Sequence, residues 1–188
     1  MSDAVLYGYF RSSAAYRVRI ALNLKGLSAD HRFIHLRKGE QTQDAYRKIN
    51  PAGLVPYWID DDLELAQSIA IIEYLDETHP NPPLLPPDAK GRAIAREIAL
   101  VVAADIHPIG NLRVLSRLID MGVDEATRAA WSKHWIETGF EAVEARLAEG
   151  EKCQRCWQVL PEVGQEAAHP DLCRRCGDAV AALDRAAA

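Results

Sequence analysis

VLYGYFRSSAAYRVRIALNLKG, residues 5–26, is the stretch on which the fold turns. Residues 5–10 mix β-branched and aromatic side chains and read as a strand. Arg11, Ser12 and Ser13 make a turn. Over residues 14–25 the apolar Val18, Ala21 and Leu22 recur at helical spacing, with Ile20 and Leu24 on an adjoining face. Gly26 is a natural helix stop, because helices often end on a left-handed residue.

Working outward, residues 32–36 read as a second strand and residues 41–50 as a short polar helix. Asn50-Pro51-Ala52-Gly53 breaks the chain. Residues 57–59 and 63–66 read as strands joined by a turn at Asp60-Asp61-Asp62. Ser68 is placed to cap a helix running through Glu77, with Ile69, Ile72 and Leu75 on its inner face. The order β-α-β-α-β-β-α within the first eighty residues predicts a mixed α/β unit of thioredoxin-like order.

Residues 80–87 hold five prolines and form a stiff connector. Beyond it the chain turns helical over residues 88–106 and 110–120, with Pro108 between them. Asp124 is placed to cap a long helix reaching about residue 148, whose apolar face carries Trp131, Trp135, Ala142, Val143 and Leu147. The expected organisation is residues 1–79 as the thioredoxin-like unit, 80–87 as linker, 88–148 as a helical domain, and 149–188 as a cysteine-bearing module and tail.

The chain has 188 residues and a net charge of −5, which argues against a generic polyanion binder. The start lacks the basic and apolar regions of a secretory signal. No apolar run is long enough to span a bilayer, the richest, residues 94–106, being broken by Arg96, Glu97 and Asp105. A cytoplasmic setting is expected, with no membrane partner. All four cysteines lie between Cys153 and Cys176. In a reducing compartment, such a cluster indicates metal or redox chemistry.

Three features of the first eighty residues bear on chemistry. Ser12 and Ser13 sit at a strand-to-helix junction, where a hydroxyl either caps the helix or donates to an anion held at its N-terminus. Val55-Pro56 precedes a strand; a cis bond there exposes the Val55 backbone for strand-like pairing, and an ordinary turn is the alternative. Gln67-Ser68 opens a helix and offers N–H groups to a carboxylate, or else a plain cap.

Together these features resemble a family. Residues 9–26, Asn50-Pro51-Ala52-Gly53-Leu54-Val55-Pro56, and Gln67-Ser68-Ile69-Ala70-Ile71-Ile72-Glu73-Tyr74-Leu75 are similar to zeta-class glutathione transferases, the maleylacetoacetate and maleylpyruvate isomerases. Asp105-Ile106-His107-Pro108, Asn111-Leu112-Arg113-Val114-Leu115, His134-Trp135-Ile136 and Gly139-Phe140 extend the likeness. It is collinear over residues 4–147. Ala14 stands where many members carry Cys, and Gly110 where an amide residue is common.

The resemblance implies glutathione as cofactor, a small acidic substrate, cis–trans isomerisation and a homodimer. It implies that Ser12 or Ser13 stabilises the glutathione thiolate. Val55, before Pro56, would pair with the glutathione backbone. Gln67 and Ser68 would hold its γ-glutamyl carboxylate, and Asn111 would face the site from the helical domain. Arg11 and Arg17 are basic residues near it. After Leu147 the resemblance stops, where the family continues with further helices. A truncated all-α domain is therefore expected, and the helices missing from it leave its activity open to impairment.

Cys153-Gln154-Arg155-Cys156 and Cys173-Arg174-Arg175-Cys176 are two Cys-x-x-Cys pairs sixteen residues apart. Four thiolates on two knuckles suit one tetrahedral, structural zinc ion, and redox dithiols are the rival reading. The segment over residues 150–182 resembles the C-terminal zinc finger of bacterial isoleucyl-tRNA synthetases, a tRNA-contacting appendage. From Glu149 onward five Lys or Arg stand against seven Asp or Glu, so RNA or phosphate contact would rest on the local basic points Arg155, Arg174 and Arg175. Three readings follow: a glutathione-dependent isomerase carrying a zinc ribbon, a non-catalytic transferase-like scaffold presenting a finger to RNA, and a poorly folded truncation.

Overall fold

The computed structural model describes residues 4–147 together with 151–152, 159–160, 170, 172, 177–178 and 181. The chain divides into two units, Met1–Ala99 and Leu100–Ala188.

The first unit runs β1 (Val5–Gly8), α1 (Ser13–Lys25), β2 (Asp30–Phe33), two short 3₁₀ turns, α2 (Asp44–Arg47), β3 (Tyr57–Asp60), β4 (Leu63–Ala66), α3 (Ser68–Thr78) and most of α4 (Ala89–Leu100). The sheet order is β2-β1-β3-β4. β1 pairs parallel with β2, antiparallel with β3, and β3 pairs antiparallel with β4. This is the mixed α/β order that the residues predict.

Alternation along the strands sorts side chains onto two faces. On one face Ala4, Leu6 and Trp58 pack with Val18 and Leu22 of α1 and with Ile71 and Leu75 of α3. On the other face Tyr7, Tyr46 and Tyr57 form a second buried cluster, joined by Ile34, Ile49 and Val55. Two expectations shift in register. β2 begins earlier and ends earlier than residues 32–36; all four of its residues are exposed, so pairing with β1 rather than burial sets its place. On α3 the buried positions are Ser68, Ile71 and Leu75, because Ser68 itself turns inward and carries the buried stripe with it.

The proline-rich segment is fastened rather than free. The Lys25 ammonium, its side chain fully buried, bonds the carbonyls of His79 (2.6 Å) and Pro82 (2.8 Å) and pairs with Asp76 at 2.7 Å. Asp76 in turn accepts from the Leu84 amide at 2.9 Å. Arg96 of α4 pairs with Glu73 of α3 at 2.5 Å.

In the second unit a π-helical turn, Val101–Ile106, is followed by α5 (Leu112–Asp120) and α6 (Glu125–Leu147). Asp124 caps α6 by accepting from the Thr127 amide at 2.9 Å, as expected. The π-helical turn packs on α6, where Gly139 leaves the space that the Ile106 side chain fills. Val143 is buried, while Ile136, Phe140 and Leu147 of α6 are exposed. A short antiparallel pair, β5 (Glu151–Lys152) with β6 (Val159–Leu160), follows. Among the described residues no helix is long and apolar enough to cross a membrane.

Candidate functional site

Strand register gathers the candidate segments at one end of the sheet. Gly8, the last residue of β1, lies opposite Phe33, the last of β2. Tyr7 lies opposite Tyr57, the first residue of β3, and Tyr57 opposite Ala66, the last of β4. The chain therefore leaves or enters the sheet at this same end in four places. These lead to Ser12 and Ser13, to the loop after β2, to Val55 and Pro56, and to Gln67 and Ser68.

Ser12 is the N-cap of α1. Its hydroxyl oxygen accepts from the Ala15 amide at 3.1 Å, and its own amide donates to the Tyr9 carbonyl at 2.9 Å. Capping is thus real, and it leaves the hydroxyl proton to donate elsewhere. Ser13, the first helical residue, is exposed, and no acidic residue occupies the first turn. The helix dipole at this end is therefore uncancelled for an anion.

The Val55-Pro56 peptide is cis. The preceding loop is closed by its own residues. The Gly53 amide donates to the Asn50 carbonyl (2.9 Å), and the Ala52 amide donates to Asn50 Oδ1 (3.1 Å). Gly53 has φ 61°, and a Cβ there would stand 2.7 Å from the Gln41 carbonyl oxygen. Only glycine meets both demands.

Gln67 stands at the N-cap of α3 with φ 72° and makes no capping bond. Ser68 does not cap α3 either. Its buried hydroxyl accepts from Arg17 Nε at 3.1 Å, tying α1 to the start of α3. Burial lowers the Arg17 pKa from its ordinary value, and Arg17 makes no ion pair among the described residues. Arg11 is exposed.

Asn111 belongs to the second unit. It caps α5, its Oδ1 accepting from the Arg113 amide at 3.1 Å. Cys153, Cys156, Cys173 and Cys176 lie outside the described residues. Among the described residues no group of three or more His, Cys, Asp or Glu is placed to hold a metal ion.

Several residues at the site are not singled out by the sequence patterns. His35 Nδ1 and Gln41 Oε1, in the loop after β2, are buried without a hydrogen-bond partner among the described residues. Tyr46 and Asn50 both donate to the Leu54 carbonyl, at 2.7 and 2.8 Å. Asn-Pro signals a turn in sequence. Nothing local signals that a tyrosine four residues earlier reaches the same carbonyl.

Residues 6–83 match the family described as glutathione S-transferase, N-terminal domain, and residues 150–178 match the zinc finger found in FPG and IleRS. The chain is 49% identical over 158 residues to a probable maleylacetoacetate isomerase of Vibrio cholerae, covering 81% of this chain and 74% of that one. It is 48% identical over 144 residues to a maleylpyruvate isomerase of Ralstonia, covering 76% and 68%. Among solved structures it is similar to a holo maleylpyruvate isomerase described as a bacterial zeta-class glutathione S-transferase, with TM-score 0.76, 47% identity and coverage of 80% and 72%. A maleylacetoacetate isomerase of Methylobacterium extorquens with bound malonate and glutathione superposes with TM-score 0.76, 40% identity and coverage of 83% and 74%.

Proposed function

This chain belongs to the zeta class of the glutathione S-transferase family, and on that premise we propose that it is a glutathione-dependent cis–trans isomerase of the maleylacetoacetate or maleylpyruvate type. The observation that carries the reading is the gathering of Ser12, Val55 and Ser68 at one end of the sheet, beside the N-termini of α1 and α3.

The residues present suit a peptide-like thiol with carboxylates. Two helix N-termini favour negative charge. Arg17, which makes no ion pair among the described residues, brings positive charge to the start of α3, and His35 Nδ1 and Gln41 Oε1 are buried polar atoms with no hydrogen-bond partner among those residues. When bound, glutathione supplies a thiol that adds to the conjugated alkene, turns its double bond into a rotatable single bond, and departs to leave the trans isomer.

The chain's own residues have four tasks. Ser12 or Ser13 donates a hydrogen bond that holds sulfur as thiolate at the α1 N-terminus. The Val55 backbone pairs with the backbone of the tripeptide, ahead of Pro56. Gln67 and Ser68 hold the γ-glutamyl carboxylate with the α3 amides. Asn111 is assigned to glutathione by the resemblance alone. The cysteine-free first 152 residues leave glutathione as the source of any thiol at this site.

The four cysteines offer a closed set of soft donors, the chemistry that structural zinc selects. We assign Cys153, Cys156, Cys173 and Cys176 to one such ion. A homodimer follows the same resemblance, checked by sedimentation of the intact chain. The deciding experiment for the activity measures isomerisation of maleylacetoacetate and maleylpyruvate with and without glutathione. Turnover that requires glutathione is expected; no turnover of either compound, or turnover independent of glutathione, overturns the reading.

A further inference from the structure

Two buried polar side chains converge on one main-chain carbonyl beside the proposed glutathione site. Tyr46 is 3% exposed and Asn50 2%. The Tyr46 hydroxyl donates to the Leu54 carbonyl at 2.7 Å, and Asn50 Nδ2 donates to the same oxygen at 2.8 Å. A carbonyl oxygen has two lone pairs, so its accepting capacity is filled. Burial, the largest cause, pushes the Tyr46 phenol up to about 12, so it remains a donor at neutral pH.

Both donors are themselves held. The Tyr46 ring packs on Tyr7 of β1 with centroids 5.7 Å apart. Asn50 is held at both ends of its carboxamide, since Oδ1 accepts from the Ala52 amide at 3.1 Å. The Leu54 carbonyl is therefore tied to the sheet through one donor and to the 50–53 turn through the other.

The Leu54 carbonyl and the Val55 amide belong to one planar peptide group. Fixing the direction of the first fixes the direction of the second. We propose that Tyr46 and Asn50 are positioning residues for glutathione: by holding the Leu54 carbonyl they aim the Val55 backbone at the tripeptide. This inference rests on the reading of Val55 as the residue whose backbone pairs with glutathione. It assigns the two side chains to binding rather than to chemistry. Their loss frees a peptide plane that the bound tripeptide must then order again, at a cost to affinity.

The test compares the wild-type chain with Y46F, N50A and the double variant in steady-state isomerisation, varying glutathione and the organic substrate separately. Y46F keeps the ring and its packing and removes one donor. We expect its KM for glutathione to rise about threefold, and that of N50A about tenfold, the range for one and for more than one lost hydrogen bond. The KM for the organic substrate and kcat at saturating glutathione are expected to stay unchanged. A merely structural role lowers the melting temperature without this split. Should N50A fail to fold, Y46F decides. An unchanged glutathione KM in Y46F, or a fall in kcat with KM unmoved, overturns the inference. If the wild-type chain neither turns over nor binds glutathione by calorimetry, it is the proposed function that fails, and with it the role of Val55.

Discussion

The Ser12 hydroxyl accepts from the Ala15 amide, whereas Ser13 stands exposed one residue on, so mutation separates capping from chemistry. S12A is expected to cost about 1 kcal/mol through the lost cap. Under the proposed function it also lowers kcat/KM roughly 10²-fold through the lost donor to sulfur. S13A is expected to leave the melting temperature in place. Thermal melts read beside steady-state rates check both; if S12A loses stability alone, Ser13 is the thiol donor. Lys25 is the other residue with a sharp expectation. K25M removes the ammonium from two carbonyls and from Asp76, which keeps only backbone amide donors, a loss of up to about 3 kcal/mol by analogy with broken buried pairs, read by urea titration.

Asp76 also sets a pH dependence. Burial raises its pKa, but the bonds from Lys25 and the Leu84 amide outweigh that and leave it lowered. A carboxylate with a lowered folded pKa stabilises fully above its unfolded value, about 3.9, and that contribution fades as pH falls through the folded value. Melting temperatures below pH 4 should therefore fall more steeply in the wild type than in D76N. None of this was legible locally. Lys25 reads as an ordinary last-turn lysine, and only folding brings it to residues 76, 79 and 82.

At the scale of elements, α1 was legible from end to end. Its stop at Gly26 and its buried Val18, Ala21 and Leu22 follow from local spacing, while the choice of Ser12 as its cap needed the structure. β2 was not, because an exposed strand has no alternating burial to reveal it and takes its register from β1. The 50–56 loop was legible as a break, while its stiffness comes from bonds among its own residues and from Tyr46, whose ring packs on Tyr7 of β1. Gly53 is the case to test. G53A places a Cβ at 2.7 Å from the Gln41 carbonyl oxygen and forces a non-glycine residue to φ 61°. The left-handed conformation alone costs about 1–2 kcal/mol. G53A should raise the glutathione KM and lower the melting temperature by more than Y46F does, since Y46F removes one hydrogen bond and keeps the ring packing.

Across the whole molecule, the two matched families divide the chain as its cysteines do, with residues 6–83 on one side and 150–178 on the other. One zinc per chain by elemental analysis is the expected content, with four thiols slow to react until a chelator is added; zinc-free protein with four reactive thiols removes that assignment. The exposed Ile119, Met121, Ile136, Phe140 and Leu147 show that apolar periodicity in the second unit does not by itself place a side chain in a core. By itself the sequence determined the α/β order, the helix cap at Asp124 and the family, since these rest on local spacing and on contiguous strings, while Ser12 and Ser13 stayed open between cap and anion donor. Tertiary structure alone decided that Ser12, Val55 and Ser68 share one end of the sheet, that Arg17 reaches Ser68, and that Tyr46, which bonds the Leu54 carbonyl, packs its ring on Tyr7 of β1. Such contacts join residues through strand register and helix packing, and no local pattern encodes a partner's position.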